Sequence, residues 1–242
     1  MSSSVPGPAP TTAAPGRVRT FERPVTHADL LVTLGGFIAS SALGGVLITV
    51  LILAGVEPAA VVTGGIPTTV ALWFLALWYG LRARGWTWAD LGLGGLPGLR
   101  RWWWQVALAY LGVVLLASLV VSQLSAPGEQ PNVMEGGVQF GPVAIAAIWV
   151  AVALVGPLVE EVIFRRILLG WLESRIGLVL AVLVQAVLFA VMHVVPAAMV
   201  LTFLLGLTAA LLARRHHSLW PAVALHTLNN LIAVSVLLAA LR

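Results

Sequence analysis

Long apolar runs are the feature of this chain that most restricts its fold. Runs of roughly 18 or more apolar residues recur from residue 30 to the C-terminus, and each is long enough to cross a bilayer as a helix. A transmembrane barrel would instead show short segments of alternating polarity. Only 9% of the 242 residues are charged, against about 25% in ordinary domains. The chain is therefore predicted to be an all-α, polytopic transmembrane helical bundle.

The apolar runs predict seven spans, with approximate bounds of 29–54, 59–81, 102–124, 142–164, 177–195, 197–214 and 220–240. Arginine-rich loops flanked by tryptophan are expected on the cytoplasmic side. A cytoplasmic N-terminus puts twelve of the thirteen arginines inside and leaves only Arg242 outside. The count predicts an N-in, C-out protein of the bacterial plasma membrane, with the loop near 125–141 external.

Composition divides the chain into three predicted parts. Residues 1–27 are rich in Ser, Pro, Ala, Thr and Gly without an apolar run, which predicts a disordered cytoplasmic tail and no secretory signal peptide. Residues 28–141 hold spans with almost no polar side chains and are predicted to be scaffold. Residues 142–242 hold nearly all polar residues within spans. The absence of cysteine excludes disulfides and thiolate sites, and the arginines predict an inner membrane surface rather than nucleic-acid binding.

Two adjacent acids in the fourth span are the first candidates for function. Ionisable groups are costly inside a bilayer and usually face a protein interior or a wet cavity. Glu161 can pair with Arg165 four residues later, whereas Glu160 lies about 100° round the helix and would face the bundle. The alternative is a helix end at the interface, with snorkelling acids and with Arg165 and Arg166 as surface anchors.

Polar residues also recur at four-residue spacing in two later spans, which places them on shared helix faces. These are Gln185, Phe189 and His193 in the fifth span, and His226 and Asn230 in the seventh, with Asn229 offset. Alone, each set is compatible with packing. Together with Glu160 they supply a carboxylate, two imidazoles and an amide, which are the parts of a hydrolase that activates water and stabilises an oxyanion. Alternatively, Glu160, His193 and His226 could hold a catalytic zinc ion.

The depths of these residues set a condition on the fold. Glu160 and His193 lie level only if the fourth helix continues through Arg165 and Arg166 beyond the membrane. His226 is about two turns closer to its own loop. Helix overhang, tilt, or a kink at Pro196 could each absorb the difference.

The motifs Glu160-Glu161-x-x-x-Arg165, Phe189-x-x-x-His193 and His226-x-x-x-Asn230 resemble, in this order, those of the CPBP family. This is the CAAX-protease and bacteriocin-processing family of intramembrane endopeptidases, also called Abi proteins. The resemblance covers about residues 142–240, and the segment 88–93 is similar to a loop common in the family.

The resemblance implies cleavage of a membrane-associated or lipid-anchored peptide or protein within the bilayer. Glu160 and His193 would activate water, His226 and Asn230 would form the oxyanion hole, and Glu161 with Arg165 would hold the first motif in place. Phe189, Gln185 and Asn229 would support them. The family is described both as metalloproteases and as metal-independent, so zinc stays open, although no H-E-x-x-H pair is present.

Two other function classes remain as alternatives. A catalytically idle scaffold or bacteriocin-immunity protein could use the same cavity to bind a peptide or lipid. A transporter could use Glu160 and His193 as a proton relay, but it predicts repeats and broken helices that the sequence does not show. The partners expected are the lipid bilayer and a membrane-associated substrate, and no nucleic acid.

Overall fold

The computed structural model describes residues 21–96, 98–124 and 141–240, and the regular secondary structure of this part of the chain is entirely helical, without strands. We number its helices α1 to α7, apart from a single 3₁₀ turn at Leu99–Arg101. Their bounds are His27–Leu53, Pro58–Ala83, Trp103–Leu124, Pro142–Ile176, Leu178–Val191, Pro196–His216 and Trp220–Ala240. Six are long and apolar enough to cross a membrane, and α5 is shorter. The predicted polytopic helical bundle is confirmed.

Two of the predicted span boundaries were wrong. The fourth span was expected to end at residue 164, but α4 continues to Ile176, as the depth argument required. The fifth was expected to reach residue 195, but α5 ends at Val191 and residues 192–195 form a turn. Pro196 does not kink a helix, because it occupies the first turn of α6, where a missing N–H costs nothing.

The segment 21–27 is folded, which corrects the end of the predicted tail; residues 1–20 lie outside the described residues, as does most of the predicted external loop. Thr26 caps α1 in a reciprocal capping box with Asp29. Arg23 donates to the carbonyl oxygens of Gly85 and Arg84 at 2.6 and 2.7 Å. These hydrogen bonds to the cap of α1 and to the loop after α2 hold the segment in place.

The loop after α2 joins the N-terminal helices, α1 to α3, to the start of α7. Gly92 has φ of +79°, which favours glycine, and its carbonyl oxygen accepts from the backbone N–H of Leu219 at 3.0 Å, at the start of α7. Burial alone would raise the pKa of Asp90, but hydrogen bonds from Thr87 and Arg23 hold that pKa below its ordinary value. The loop thereby fixes the entry of α7.

Helix α4 is regular except in two π-helical stretches, Trp149–Val155 and Val162–Leu168, on either side of the two acids. In the first, the N–H of Gly156 bonds to the carbonyl of Ala151, five residues back. Pro157 has no N–H to offer. The backbone N–H groups of residues 156 and 157 are the ones that could bond to the carbonyl of Val152 within α4. Neither is available, so this oxygen needs a partner from another helix.

Close packing of small residues joins α5 to α6. A Cβ added at Gly206 would lie 3.3 Å from the Cα and Cβ of Ala186, so the two backbones approach closely, as is common between helices in membranes. Gln185 is fully buried and donates to the carbonyl of Gly206 at 3.2 Å. The Gly206–Ala186 contact and the Gln185 hydrogen bond together fix the position of α5 along α6.

Candidate active site

His226 lies between the two acids of α4. Its Nδ1 is 2.9 Å from Oε1 of Glu161, and its Nε2 is 3.8 Å from Oε2 of Glu160. An ionised carboxylate only accepts hydrogen bonds, so Nδ1 of His226 is protonated and donates a hydrogen bond to Glu161. This contact fixes the ring and directs Nε2 towards Glu160. The imidazole is 1% exposed, so the arrangement lies deep in the bundle.

Glu161 also pairs with Arg165, one helical turn further along α4. Oε2 of Glu161 is 3.1 Å from Nε of Arg165, and both side chains are fully buried. The guanidinium carbon lies 4.1 Å from the ring centroid of Phe189, a distance suited to a cation–π contact. Arg165 and Arg166 are both 2% exposed, which excludes the alternative in which they anchor a helix end at the membrane surface.

Glu160 is the acid of the two that has no arginine within ion-pair distance among the described residues. Its side chain is 18% exposed, and no described residue donates a hydrogen bond to its carboxylate. His193 and His226 both lie within electrostatic range of its carboxylate. A partly accessible carboxylate beside two imidazoles has the composition of a site that activates water.

His193 lies in the turn that follows α5. Its Nδ1 donates to the carbonyl oxygen of Phe189 at 2.9 Å, which leaves Nε2 as the free nitrogen of the neutral ring. The next residue, Val194, has φ of +57°. This conformation is strained for a β-branched side chain, and such strain is often found beside functional residues.

Phe189 is the apolar centre of the site. Its ring contacts those of His193, His226 and Phe164 edge-on, at centroid distances of 5.0, 5.5 and 5.0 Å. It therefore sets the spacing between His193, in the turn after α5, and His226 on α7. Phe164 was missed at the sequence level because one more aromatic residue in an apolar run gives no distinct signal.

Asn230 supplies the partner that the carbonyl of Val152 needs. Its Nδ2 donates to this oxygen at 2.9 Å, and its Oδ1 accepts from Nδ2 of Asn229 at 3.2 Å. An amide nitrogen has two hydrogens, so one remains for a ligand. The anchoring carbonyl was also missed from sequence, although Pro157 within an apolar run was the available signal.

The structure links six of the nine predicted site residues by direct contacts: Glu160, Glu161, Arg165, Phe189, His193 and His226. Asn230 lies one helical turn after His226 on α7 and contacts Val152 and Asn229. Gln185, which was predicted to support the site, donates to the carbonyl of Gly206 and joins α5 to α6.

The predicted zinc ligands do not form a complete metal site. Among the described residues, no three His, Cys, Asp or Glu side chains are arranged to hold a metal ion. Glu160 and His226 approach each other, but a third donor does not converge with them as tetrahedral zinc requires. The donor set therefore does not fit zinc, and no chemical step below depends on it.

Comparison with known proteins agrees with this site. A family model described as "Type II CAAX prenyl endopeptidase Rce1-like" matches residues 142–232, which include every residue of the three motifs. The match supports assigning this segment to the CAAX-protease family. The sequence-level resemblance is confirmed, and the matched segment coincides with the part of the chain that carries the buried polar residues.

One curated relative is also named as a membrane peptidase. The Bacillus subtilis (strain 168) protein named "Putative membrane peptidase YdiL" is 29% identical over 99 residues, which are 41% of each chain. The chain thus spans less than half the length of this relative. No solved structure shows a significant match.

Proposed function

We propose that this protein is an intramembrane endopeptidase that hydrolyses a peptide bond of a membrane-associated or lipid-anchored peptide or protein. The observation that carries the proposal is the position of His226, whose two nitrogens face Glu161 and Glu160 in a buried site. The family match supports peptidase chemistry. The proposed substrate class is supported by the position of the site on α4 and α7, two helices that are long and apolar enough to cross a membrane.

Glu160 is proposed to be the general base. It accepts a proton from a water molecule as the water oxygen bonds to the scissile carbonyl carbon. His193, whose Nε2 is free of the proton held at Nδ1, assists in orienting that water. When the tetrahedral intermediate collapses, the carbon–nitrogen bond breaks and the proton passes from Glu160 to the departing amine.

His226 and Asn230 are proposed to stabilise the oxyanion. In this proposal His226 carries a proton on each nitrogen. Nδ1–H stays bound to Glu161, and Nε2–H, which lies 3.8 Å from Oε2 of Glu160 in the structure, donates to the substrate oxygen once the substrate is bound. Asn230 donates its second amide hydrogen while the first stays on Val152. Both donors are held before the substrate arrives, which is the condition for effective stabilisation in a water-poor site.

Glu161 and Arg165 are proposed to position these groups without contacting the substrate. The ion pair fixes the acceptor of His226 Nδ1–H, much as a buried carboxylate orients the histidine of a hydrolytic triad. Zinc, which the sequence allowed, has no role in this sequence of steps.

The decisive experiment replaces Glu160 with Gln, which keeps the shape but cannot accept the proton. Membrane and secreted peptides of cells carrying each form are compared, and any peptide that requires the wild-type protein is then cleaved by purified enzyme. We expect Glu160→Gln to reduce turnover by a factor on the order of 10³ while the folded yield is retained. Glu22→Gln, the same change at an exposed acid outside the site, is the matched control.

The outcome separates the function classes. Equal turnover by wild type and Glu160→Gln would refute the water-activating role. Identical peptide profiles in both strains would favour the scaffold or immunity alternative. Running the assay with and without a chelator decides the metal question, since activity that chelation abolishes and zinc restores would contradict the metal-free steps above.

A further inference from the structure

A second cavity, distinct from the space around Glu160, has strongly cationic walls. It has a volume of about 90 Å³ and lies between the segment 21–25, the end of α4 and the end of α6. Four arginines line it, together with one acid: Arg23, Arg165, Arg166, Arg214 and Glu173. Such a concentration of one charge in a buried space is costly unless each charge is compensated.

Three of these arginines have a carboxylate partner, and one does not. The pairs are Arg23 with Asp90 at 3.3 Å, Arg165 with Glu161 at 3.1 Å, and Arg214 with Glu173. Arg166 is 2% exposed, yet no described carboxylate lies within ion-pair distance of it. It donates only to the carbonyl oxygens of Asp90 and Arg23, at 2.6 and 2.7 Å. Its guanidinium also lies over the rings of Trp86 and Phe21, at 4.7 and 5.4 Å, so Arg166 has carbonyl and aromatic contacts but no anionic partner among the described residues.

Hydrogen-bond donors without partners point to the same conclusion. Nη1 and Nη2 of the buried Arg165, and Nε of Arg214, are inaccessible to solvent and have no hydrogen-bond partner among the described residues. Buried donors in this state cost free energy that an acceptor would recover. The missing component is an anion with several acceptor oxygens.

We propose that this cavity binds a phosphate group. Its volume corresponds to about three water molecules, which suits one tetrahedral oxyanion and is too small for a nucleotide. Guanidinium groups on several sides match the oxygens of phosphate better than the two oxygens of a single carboxylate. At the predicted cytoplasmic surface, the group can come from a phospholipid headgroup or from free phosphate. The proposal does not rest on the proposed peptidase activity, although Arg165 is shared between this cavity and the Glu161 ion pair.

Binding is tested on the purified full-length chain in detergent, titrated with sodium phosphate against sodium chloride of equal ionic strength. Calorimetry and thermal unfolding should show saturable binding and stabilisation by phosphate. Arg214→Gln should weaken the affinity roughly tenfold, because it removes a charge-assisted donor. Glu173→Gln should increase the affinity several-fold, since it removes the acid from the wall and frees Arg214.

Arg215→Gln is the matched control, because Arg215 is the exposed neighbour of Arg214, outside the cavity, and the charge change is identical. Its affinity should stay within about twofold of wild type. A loss equal to that of Arg214→Gln would mean that only the surface potential is sensed, which overturns the proposal. If Arg214→Gln does not fold, Glu173→Gln decides, and unchanged or weaker binding by it overturns the proposal.

The source of the phosphate group is resolved by native mass spectrometry of protein from nanodiscs of phosphatidylglycerol. Retained phospholipid that is lost in Arg214→Gln but kept in Arg215→Gln identifies a lipid headgroup. Saturable inorganic phosphate binding without retained lipid identifies free phosphate. Neither retained lipid nor saturable binding would refute the site.

Discussion

The two halves of the bundle are similarly apolar but are used in opposite ways. In α1 to α3, 17 to 22% of the residues in each spanning segment are buried, whereas in α4, α6 and α7 the share is 33 to 39%. The first half therefore presents most of its surface to lipid, and the second encloses charged and amide side chains. Hydrophobicity alone does not distinguish a helix that faces lipid from one that surrounds a site.

The halves are also held together by different interactions. A Cβ added at Gly44 of α1 would overlap the side chain of Thr69 in α2, so these helices depend on close contact of small residues. By contrast, α4 and α7 are joined through hydrogen bonds of Glu161 with His226 and of Asn230 with Val152. Substitutions should therefore affect stability in one half, and both stability and chemistry in the other.

The largest loss of stability is expected from Arg165→Ala. It leaves the buried carboxylate of Glu161 without its arginine and with His226 as its remaining partner, which should cost about 3–5 kcal/mol. The folded fraction, measured by size-exclusion chromatography and thermal unfolding in detergent, should fall well below that of Glu160→Gln. Arg175→Ala, at an exposed arginine of the same helix, is the control. Equal yields of the Arg165 and Glu160 variants would show that the ion pair does not support the fold.

Asn230→Ala should have a somewhat smaller effect, mainly on turnover. Loss of an oxyanion donor commonly lowers kcat by about 10²–10³, and the unsatisfied carbonyl of Val152 should add about 1–3 kcal/mol of destabilisation. The loss of kcat would be measured on the substrate identified by comparing wild type with Glu160→Gln. The loss of stability would be measured by thermal unfolding. Asn229→Ala, which removes only the neighbouring amide, should lower kcat less than Asn230→Ala does. A larger loss of kcat in Asn229→Ala would mean that Asn229, and not Asn230, is the oxyanion donor.

The smallest effect is expected in the first half, from Gly44→Val. The added side chain must displace Thr69, and overpacking of this kind costs about 1–3 kcal/mol. Nothing lies within 4 Å of a Cβ at Gly45, so Gly45→Val should be better tolerated. Turnover per folded molecule should be unchanged in both. A loss of specific turnover in Gly44→Val would mean that the first half takes part in the chemistry.

The sequence predicted the fold class and the polar residues of the site because both depend on single, strong signals. An acid or a histidine within an apolar span is conspicuous wherever it lies. The pairing of Glu161 with Arg165 also follows from helical spacing alone. The orientation of the bundle and the disorder of residues 1–20 stay predictions from charge and composition.

What the sequence could not show depends on departures from regular geometry. Two π-helical stretches change the angular position of every later residue in α4, and helical spacing of 3.6 residues does not reveal them. The turn at 192–195 and the interhelical role of Gln185 depend on how α5 meets α6. His226 was assigned by analogy to oxyanion stabilisation, while its contact with Glu161 requires knowledge of two distant helices.

The interrupted hydrogen bonding at Pro157 has a consequence for how this protein can be improved. An alanine at that position would restore a backbone donor and make α4 more regular, so it would pass as a stabilising substitution. In the π-helical register of this stretch, that N–H would face the carbonyl oxygen of Val152, five residues back, and would compete with Asn230 for it. A sturdier helix would thus release the amide on which the proposed reaction depends, so selection for thermal robustness alone would tend to produce a well-folded but inactive protein.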